Sequence, residues 1–283
     1  MRSFLAESGV EEVCLNYLAD LGWQVLYGPD IAPGEPAAER KSFKEALVEG
    51  RLRDAIERLN SDLDAGSVSQ VIATLRRPES ADVLAENLRI YSLLTGGVPV
   101  ERRDASGQTR HDLARLIDFE NTDRNDFLAL NQFTVLGDQH ERRPDVVGFV
   151  NGIPLGVIEL KLPGEERATL HGAWDQLRTY AAEIPALMSY TCISMISTGT
   201  QARSGALEGA FEHYAPWKTI DGYHESPLET PELEVLVRGM FEPSRFLDLV
   251  RNFTVFSAER SGLVKRIGKY QQYKAVNLAV SAT

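Results

Sequence analysis

Three side chains between residues 143 and 161 are of the types that cleave phosphodiester bonds. The stretch RPDVVGFVNGIPLGVIELK contains Asp145, Glu159 and Lys161, close to the adjacent ends of two apolar runs. Asp145 and Glu159 could hold Mg²⁺, which prefers oxygen ligands and keeps several of its waters. Such an ion can activate a water molecule, while the Lys161 ammonium orients that water or offsets developing charge. These residue types therefore predict a metal-dependent phosphodiester-cleaving site.

The sequence around these residues predicts a β-hairpin. Residues 146–150 and 155–160 are short β-branched and aliphatic runs, and the Asn-Gly pair between them favours a tight turn because both residues tolerate positive φ. Side chains alternate between the two faces of a strand. Glu159 and Lys161 are therefore expected to share one face of the second strand.

The turn decides where Asp145 points. A strict two-residue loop would pair Asp145 with Ile158 and leave the two carboxylates on opposite faces. A three-residue loop, with Gly152 in the left-handed conformation of a bulge, would instead pair Asp145 with Val157. Asp145 would then lie diagonal to Glu159, about 7 to 8 Å away between Cα atoms. Because that separation lets both bind one cation, we predict the bulged turn, and without a cation a raised pKa for at least one carboxyl.

By itself such a pattern more often marks a half-buried hairpin with a solvated end. The surrounding sequence is therefore needed to distinguish a nuclease site from such a hairpin. RPDVVGFVNGIPLGVIELK resembles the PD-(D/E)xK nuclease motif as it occurs in the motor (R) subunit of type I restriction enzymes. LIDFENTDRNDFLALNQFTV at residues 116–135, EEVCLNYLADLGW near the amino terminus and KYQQYKAVN near the other end are also similar to blocks of that family. Together these blocks are spread over most of the chain.

The resemblance implies a fold, an activity and a set of site residues. The fold is of the α/β class (α+β, with a mixed sheet), in which helices flank a central mixed β-sheet. The activity is Mg²⁺-dependent DNA cleavage, with Asp145 and Glu159 as metal ligands and Lys161 as the catalytic lysine. A Gln-x-x-x-Tyr motif on the following helix also contributes, here as Gln176 and Tyr180, whose spacing places them on one helical face.

Related nucleases also carry a glutamate on their first helix, about three turns before a Gly-aromatic pair, which is Gly22-Trp23 here. Glu11 fits this spacing better than Glu12, and it shares a helical face with Cys14 that is expected to point towards the sheet. Acidic residues in the first turn of a helix also complement its dipole. The sequence therefore leaves open whether Glu11 acts in the site, and whether Glu11 or Glu12 is the site glutamate.

Composition bounds the class of protein. The 283 residues are 43% hydrophobic, which is ample for a packed core, and no leader peptide or stretch of membrane-spanning length is evident, so a cytoplasmic protein is predicted. Cys14 and Cys192 are expected to be reduced core thiols. The net charge of −11 argues against a protein that coats DNA. Residues 245–274 are locally basic, which a solvated or domain-docking face explains at least as well as DNA contact.

The order of predicted elements suggests two parts. A nuclease domain would cover residues 1–204, with a helical insertion at about 40–96, and a mainly helical extension would cover 205–283. The elements expected are a helix at 8–21, strands at 23–27, 113–119 and 127–136, the hairpin, the helix with the Gln-x-x-x-Tyr motif, and a strand at 191–197.

No G-x-x-x-x-G-K-[ST] phosphate loop occurs in the sequence, so ATP binding through such a loop is not expected. In the resembled family an ATP-driven translocase follows the nuclease, and other subunits methylate and recognise DNA. The resemblance therefore implies the nuclease part of a longer subunit, whose partners are double-stranded DNA and the methyltransferase and specificity subunits. The alternative is a catalytically silent module of the same fold that binds DNA or tethers the motor to those partners.

Overall fold

The computed structural model describes residues 2–103, 108–161, 169–260 and 262–282, and only the backbone of 2–8, 103 and 281. Its helices are α1 (Arg2–Asp20), α2 (Glu49–Leu59), α3 (Ala65–Arg76), α4 (Val83–Gly96), α5 (Leu170–Glu183), α6 (Pro185–Met188), α7 (Glu232–Met240), α8 (Pro243–Asn252) and α9 (Tyr270–Ser281). Its strands are β1 (Gln24–Tyr27), β2 (Val98–Arg103), β3 (Thr109–Ala114), β4 (Phe127–Asn131), β5 (Val135–Leu136), β6 (Glu141–Arg142), β7 (Val146–Val150), β8 (Ile153–Leu160), β9 (Ile193–Ser197), β10 (Ala202–Gly205), β11 (Thr254–Glu259) and β12 (Gly262–Ile267).

A six-stranded mixed sheet forms the centre of the structure, in the order β1-β4-β7-β8-β9-β10. β1 runs parallel to β4 and β8 runs parallel to β9, while the other neighbours are antiparallel. Every residue of β7 and β8 is buried, as expected for near-continuous apolar runs covered on both faces. α1 packs against β1 and β4, and α5 packs against β8 and β9. The predicted α/β fold, a mixed sheet flanked by helices, is therefore confirmed.

The turn of the β7–β8 hairpin differs from the predicted one. Val150 pairs directly with Ile153, so the loop contains only Asn151 and Gly152. These two residues have φ values of 52° and 76°, the signs that a type I′ turn requires. The Asn151 side chain donates a 2.8 Å hydrogen bond to the carbonyl oxygen of Leu116, which helps to hold it in this conformation. The prediction of a three-residue bulged turn is wrong.

A β-bulge inside the hairpin has the effect that was expected of the turn. The pairing shifts by one residue at Leu155, which is the extra residue of β8. Beyond this bulge, Val146 pairs with Ile158. Asp145 therefore lies opposite Glu159 instead of diagonal to it. Without the bulge, the observed two-residue turn would have placed the two carboxylates on opposite faces of the sheet.

Replacing Gly152 by alanine is expected to destabilise the chain by roughly 3 kcal/mol, because the new Cβ adds a steric clash to backbone strain. That Cβ would lie 2.8 Å from the backbone nitrogen of Leu52 and closer still to the carbonyl oxygen of Val48. Gly34 is the matched control, since its φ of 96° is also left-handed but no atom lies within 4 Å of an added Cβ. Urea denaturation should show a loss of only about 1 kcal/mol for Gly34→Ala; equal losses would contradict the clash.

Residues 40–96 contain the helices predicted for this range, as α2, α3 and α4; that they form an insertion in a nuclease domain stays a prediction. The helices are separated at 60–64 and 77–82, close to the breaks expected from the sequence. Asp64 and Asp82 cap α3 and α4, because each carboxylate accepts a backbone N–H three residues ahead. The hairpin of β2 and β3 that follows was not predicted, and the strand expected at 113–119 lies earlier, at Thr109–Ala114.

Phe241 and Phe246, which follow the predicted boundary at residue 204, pack against the central sheet beside Gly156. The Trp23 indole donates a 2.8 Å hydrogen bond to the carbonyl oxygen of Phe241, and its ring contacts Phe241 and Phe246. The β11–β12 hairpin in this region was not predicted, and its buried Lys265 donates to the Asn87 side chain on α4 at 2.8 Å. The boundary at residue 204 stays a prediction.

Cys14 and Cys192 are buried free thiols, as predicted. Within the described ranges, no helix combines the length and the apolar character needed to cross a membrane.

Candidate active site

The predicted site lies where the β7–β8 hairpin opens, at the end opposite its turn. One carboxylate oxygen of Asp145, Oδ2, accepts a 2.7 Å hydrogen bond from the backbone N–H of Leu160. The backbone N–H of Lys161 donates to the Ser197 carbonyl at 2.8 Å, which extends the pairing of β8 with β9. Both strands of the hairpin are therefore anchored at the positions from which the site residues project.

Glu159 is a buried carboxylate whose two oxygens have different partners. Its exposure is 3%, and its Oε1 lies 2.6 Å from the Lys161 ammonium. Its Oε2 accepts a 3.0 Å hydrogen bond from the Tyr180 hydroxyl. Burying a carboxylate is costly unless charge and hydrogen bonds compensate it. Lys161 and Tyr180 supply that compensation and define the orientation of the carboxylate.

Asp145 has the raised pKa that is expected when carboxyl groups lie close together. Burial, together with the negative charges of Glu159 and Glu11, raises the pKa of Asp145 to about 8. The Leu160 N–H and the Lys161 ammonium oppose this rise but do not cancel it. The expectation that at least one carboxyl would have a raised pKa is confirmed. An excess of negative charge is what a bound cation would relieve.

Helix α5 brings Gln176 and Tyr180 to the same place. Thr169 caps this helix, since its hydroxyl oxygen accepts the Gly172 N–H at 3.0 Å. Tyr180 is buried, and its pKa is raised by that burial and by the charges of Glu159 and Asp145, while a hydrogen bond with Gln176 acts in the opposite direction. Gln176 is partly exposed. The structure thus joins Gln176 to the site through Tyr180; its role in DNA contact stays a prediction.

Glu11 on α1 also reaches this end of the sheet. Its two carboxylate oxygens accept hydrogen bonds from the side-chain amides of Asn131 and Gln132, each at 2.6 Å. Its charge contributes to the raised pKa of Asp145. Glu12 is exposed. The structure therefore places Glu11, and not Glu12, beside the hairpin carboxylates, although its participation in chemistry stays a prediction.

Asn131 and Gln132 were not singled out from the sequence. They follow the apolar residues of β4, whose neighbour is β7, and the Gln132 backbone N–H donates to the Asp145 carbonyl, so the pair lies next to Asp145. The signal that could have identified them is a pair of amides directly after an apolar strand, within a block already similar to the nuclease family. Only the pairing of β4 with β7 shows that this pair adjoins the carboxylates.

The site residues fit Mg²⁺ as a two-carboxylate site. Within the part of the chain that the structure describes, no three His, Cys, Asp or Glu side chains are grouped closely enough to hold an ion. Mg²⁺ is usually bound by one or two carboxylates, with water and substrate phosphate completing its octahedron. Asp145 and Glu159, opposite each other and with a raised pKa on Asp145, are residues of the types that would supply that donor set; that they bind the ion stays a prediction.

The mixed sheet, its flanking helices and the acidic residues with lysine at the end of the central hairpin define a nuclease-like α/β core. A family model described as "Type I restriction enzyme R protein N terminus" matches residues 4–213. The chain belongs to this family of type I restriction enzyme R proteins.

Similar proteins are endonuclease subunits by name. The type I restriction enzyme HindI endonuclease subunit of Haemophilus influenzae is 36% identical over 283 residues, which cover 99% of this chain and 27% of that protein. The putative MjaIXP endonuclease subunit of Methanocaldococcus jannaschii is 26% identical, over 97% of this chain and 27% of its own length. The EcoprrI endonuclease subunit of Escherichia coli is 29% identical over 53% of this chain and 48% of that protein. The chain thus spans about a quarter of the length of the first two relatives.

Proposed function

We propose that this chain is the endonuclease domain of a type I restriction enzyme R subunit, and that it hydrolyses DNA phosphodiester bonds with Mg²⁺. The observation that carries the proposal is the convergence of Asp145, Glu159 and Lys161 at one end of the central hairpin. Two carboxylates and an ammonium in that arrangement suit a metal-assisted hydrolase better than a two-carboxylate acid-base enzyme, in which the lysine would have no evident role. The names of the relatives support the same reaction.

Asp145 and Glu159 would hold the ion, which activates water and offsets the charge of the phosphoryl group when it is bound. The residues of the chain then divide the remaining work. Tyr180 and Lys161 hold the two oxygens of Glu159 in a fixed orientation. The Lys161 side chain is 27% exposed, so its ammonium can approach a phosphate, orient the attacking water and stabilise developing negative charge. Gln176, partly exposed on α5, would contact the substrate.

In the full-length subunit, we propose that cleavage is coupled to ATP-driven translocation along double-stranded DNA. Target recognition and methylation would belong to the specificity and methyltransferase subunits of the same complex. ATP would bind in a motor domain and not through the residues described above. This assignment rests on two observations. The chain belongs to the R-protein family, and a relative is named as the endonuclease subunit of a type I restriction enzyme.

Glu159→Gln in the full-length subunit, assembled with its partner subunits, tests this proposal. DNA cleavage is expected to fall roughly a hundredfold, because the amide lacks the charge that holds the ion. ATP hydrolysis should be unchanged, and calorimetric titration of the 283-residue chain with Mg²⁺ should show a binding site that this variant has lost. Glu229→Gln, an exposed position, is the matched control and should behave as the unmodified enzyme.

A catalytically silent docking module predicts the opposite result. Such a module would show no Mg²⁺ site that depends on Glu159, and the complex would cleave DNA equally well with either glutamine variant. Wild-type cleavage by Glu159→Gln would therefore overturn the endonuclease assignment and leave the docking function in its place.

A further inference from the structure

The end of β4 presents two neutral amides to a single carboxylate. The Asn131 side chain donates to Glu11 Oε1 and the Gln132 side chain donates to Glu11 Oε2, each at 2.6 Å. The two contacts join residues about 120 positions apart in sequence. Since each oxygen of the carboxylate has its own donor, rotation of the carboxylate group breaks at least one hydrogen bond.

Gln132 has an unusual backbone conformation. Its φ of 53° is left-handed, which costs a non-glycine residue on the order of 1 kcal/mol and persists only where the surroundings hold it. In this conformation its backbone N–H donates to the Asp145 carbonyl at 3.1 Å, while its side chain binds Glu11. Gln132 therefore connects two of the acidic residues, one through its main chain and the other through its side chain.

The backbone around the amide pair is closely packed. A Cβ added to Gly28, directly after β1, would lie 2.5 Å from the Asn131 carbonyl oxygen and 2.9 Å from that of Gln132. The glycine thus lets the chain that leaves β1 pass the end of β4 at short range. The position of the amide pair is set by β1 on one side and by Asp145 on the other.

We propose that Asn131 and Gln132 are positioning residues that hold the Glu11 carboxylate towards the metal-binding carboxylates. The proposal rests on the endonuclease function above and deepens it, because it assigns the orientation of Glu11 to two residues outside the acidic set. It also explains why the strained conformation of Gln132 is retained, since a relaxed backbone would move both of its hydrogen bonds.

The neutral charge of the amides is central to this role. Glu11 and Asp145 both contact Gln132, so two carboxyl groups lie close together, and an unrestrained Glu11 would turn towards solvent to avoid like charge. A lysine or arginine could hold Glu11 in place, but it would also cancel the negative charge that attracts a cation. Amide donors fix the orientation and leave that charge intact.

The test uses the full-length subunit assembled with its partner subunits, and it measures single-turnover DNA cleavage over a series of Mg²⁺ concentrations. Gln132→Met keeps the length of the side chain and removes its donor. It is expected to lose about tenfold in cleavage rate at limiting Mg²⁺, with a higher Mg²⁺ requirement, as is typical for residues that orient metal-site groups. Gln70→Met, the same change at an exposed position of α3, should match the unmodified enzyme.

A double-mutant cycle separates positioning from a purely structural role. If Gln132 acts through Glu11, then adding Gln132→Met to Glu11→Gln should cause no further loss of rate. Multiplying losses would overturn the proposal, because they would show that Gln132 contributes independently of Glu11. The same cycle with Asn131→Leu should show the same dependence on Glu11.

Gln132→Gly is a control for loss of activity through misfolding. Glycine adopts the left-handed conformation without strain, so the backbone hydrogen bond to Asp145 is kept while the side chain is lost. This variant should cleave as weakly as Gln132→Met, and wild-type cleavage by it would overturn the proposal. The two proposals can be contradicted separately. Wild-type cleavage by Glu159→Gln would contradict the endonuclease function. If Glu159→Gln is inactive but the Gln132 variants are fully active, only the positioning role is contradicted.

Discussion

An R subunit that carries Lys161→Met is expected to cleave DNA about a thousandfold more slowly while it hydrolyses ATP at the normal rate. The ammonium of Lys161 lies 2.6 Å from Glu159 Oε1 and is held at the end of β8 by the hydrogen bond from its backbone N–H to Ser197. Methionine preserves the apolar stem of the side chain and removes only the charge and the donors. The rate loss therefore reports the ammonium, both through its direct effect on the reaction and through its contact with Glu159.

Two further lysine variants sharpen this measurement. Lys161→Arg keeps a positive charge but replaces a compact ammonium by a planar group, so an intermediate rate is expected. Lys218→Met makes the same charge change at an exposed position and should leave cleavage unaltered. Single-turnover cleavage of a DNA substrate by the assembled enzyme gives all three rates. Cleavage by Lys161→Met at the wild-type rate would exclude Lys161 from the chemistry.

The second large effect concerns stability, since Asp145→Asn is expected to stabilise the metal-free chain at pH 8 and not at pH 4. The folded state raises the pKa of Asp145 from 3.8 to about 8, so between these values it retains a proton that the unfolded chain releases. By linkage, the free energy of unfolding falls as pH rises through this window. Asparagine has no proton to lose and escapes that fall. The expected gain at pH 8 is on the order of 2 kcal/mol, discounted for the partial exposure of Asp145.

Urea denaturation of the chain in EDTA at pH 4, 6 and 8 measures this difference. The gain should be absent at pH 4, partial at pH 6 and largest at pH 8. Asp138→Asn, at an exposed position, should show no such trend. Replacing EDTA by Mg²⁺ at pH 8 should stabilise the wild-type chain and have little effect on Asp145→Asn, because under the proposed function the ion would bind only the folded wild-type site. A gain that is the same at every pH would contradict a raised pKa at Asp145.

Much of the candidate site could be predicted from sequence because its elements are local. The Asn-Gly pair between two apolar runs predicted the hairpin, and the spacing of Gln176 and Tyr180 predicted a shared helical face; both elements are present. The spacing to Gly22-Trp23 favoured Glu11 over Glu12, and the structure places Glu11 near Asp145. Each of these inferences uses a periodicity or a turn preference that spans only a few residues.

The register of the hairpin could not be obtained in the same way. Counting residues from the turn assumes an unbroken strand, and a single extra residue moves every following side chain to the other face. The sequence does contain a hint, because Pro154 in a central strand is tolerated mainly at a bulge. It was not used. An added Cβ at Gly148 or Gly156 would lie 3.0 Å from the rings of Trp23 or Phe241, respectively, so residues far along the chain pack tightly against the hairpin.

The sequence by itself determined which residue types meet and in which elements they lie: two carboxylates and a lysine on a hairpin, and a glutamine and a tyrosine on a helix. The tertiary structure alone decided that Asp145 faces Glu159, through a bulge and not through the turn. It also decided that Glu11 is oriented by Asn131 and Gln132. The physical reason is that hydrogen bonds and packing between distant strands select one register and one carboxylate orientation, and local propensity does not contain these long-range contacts.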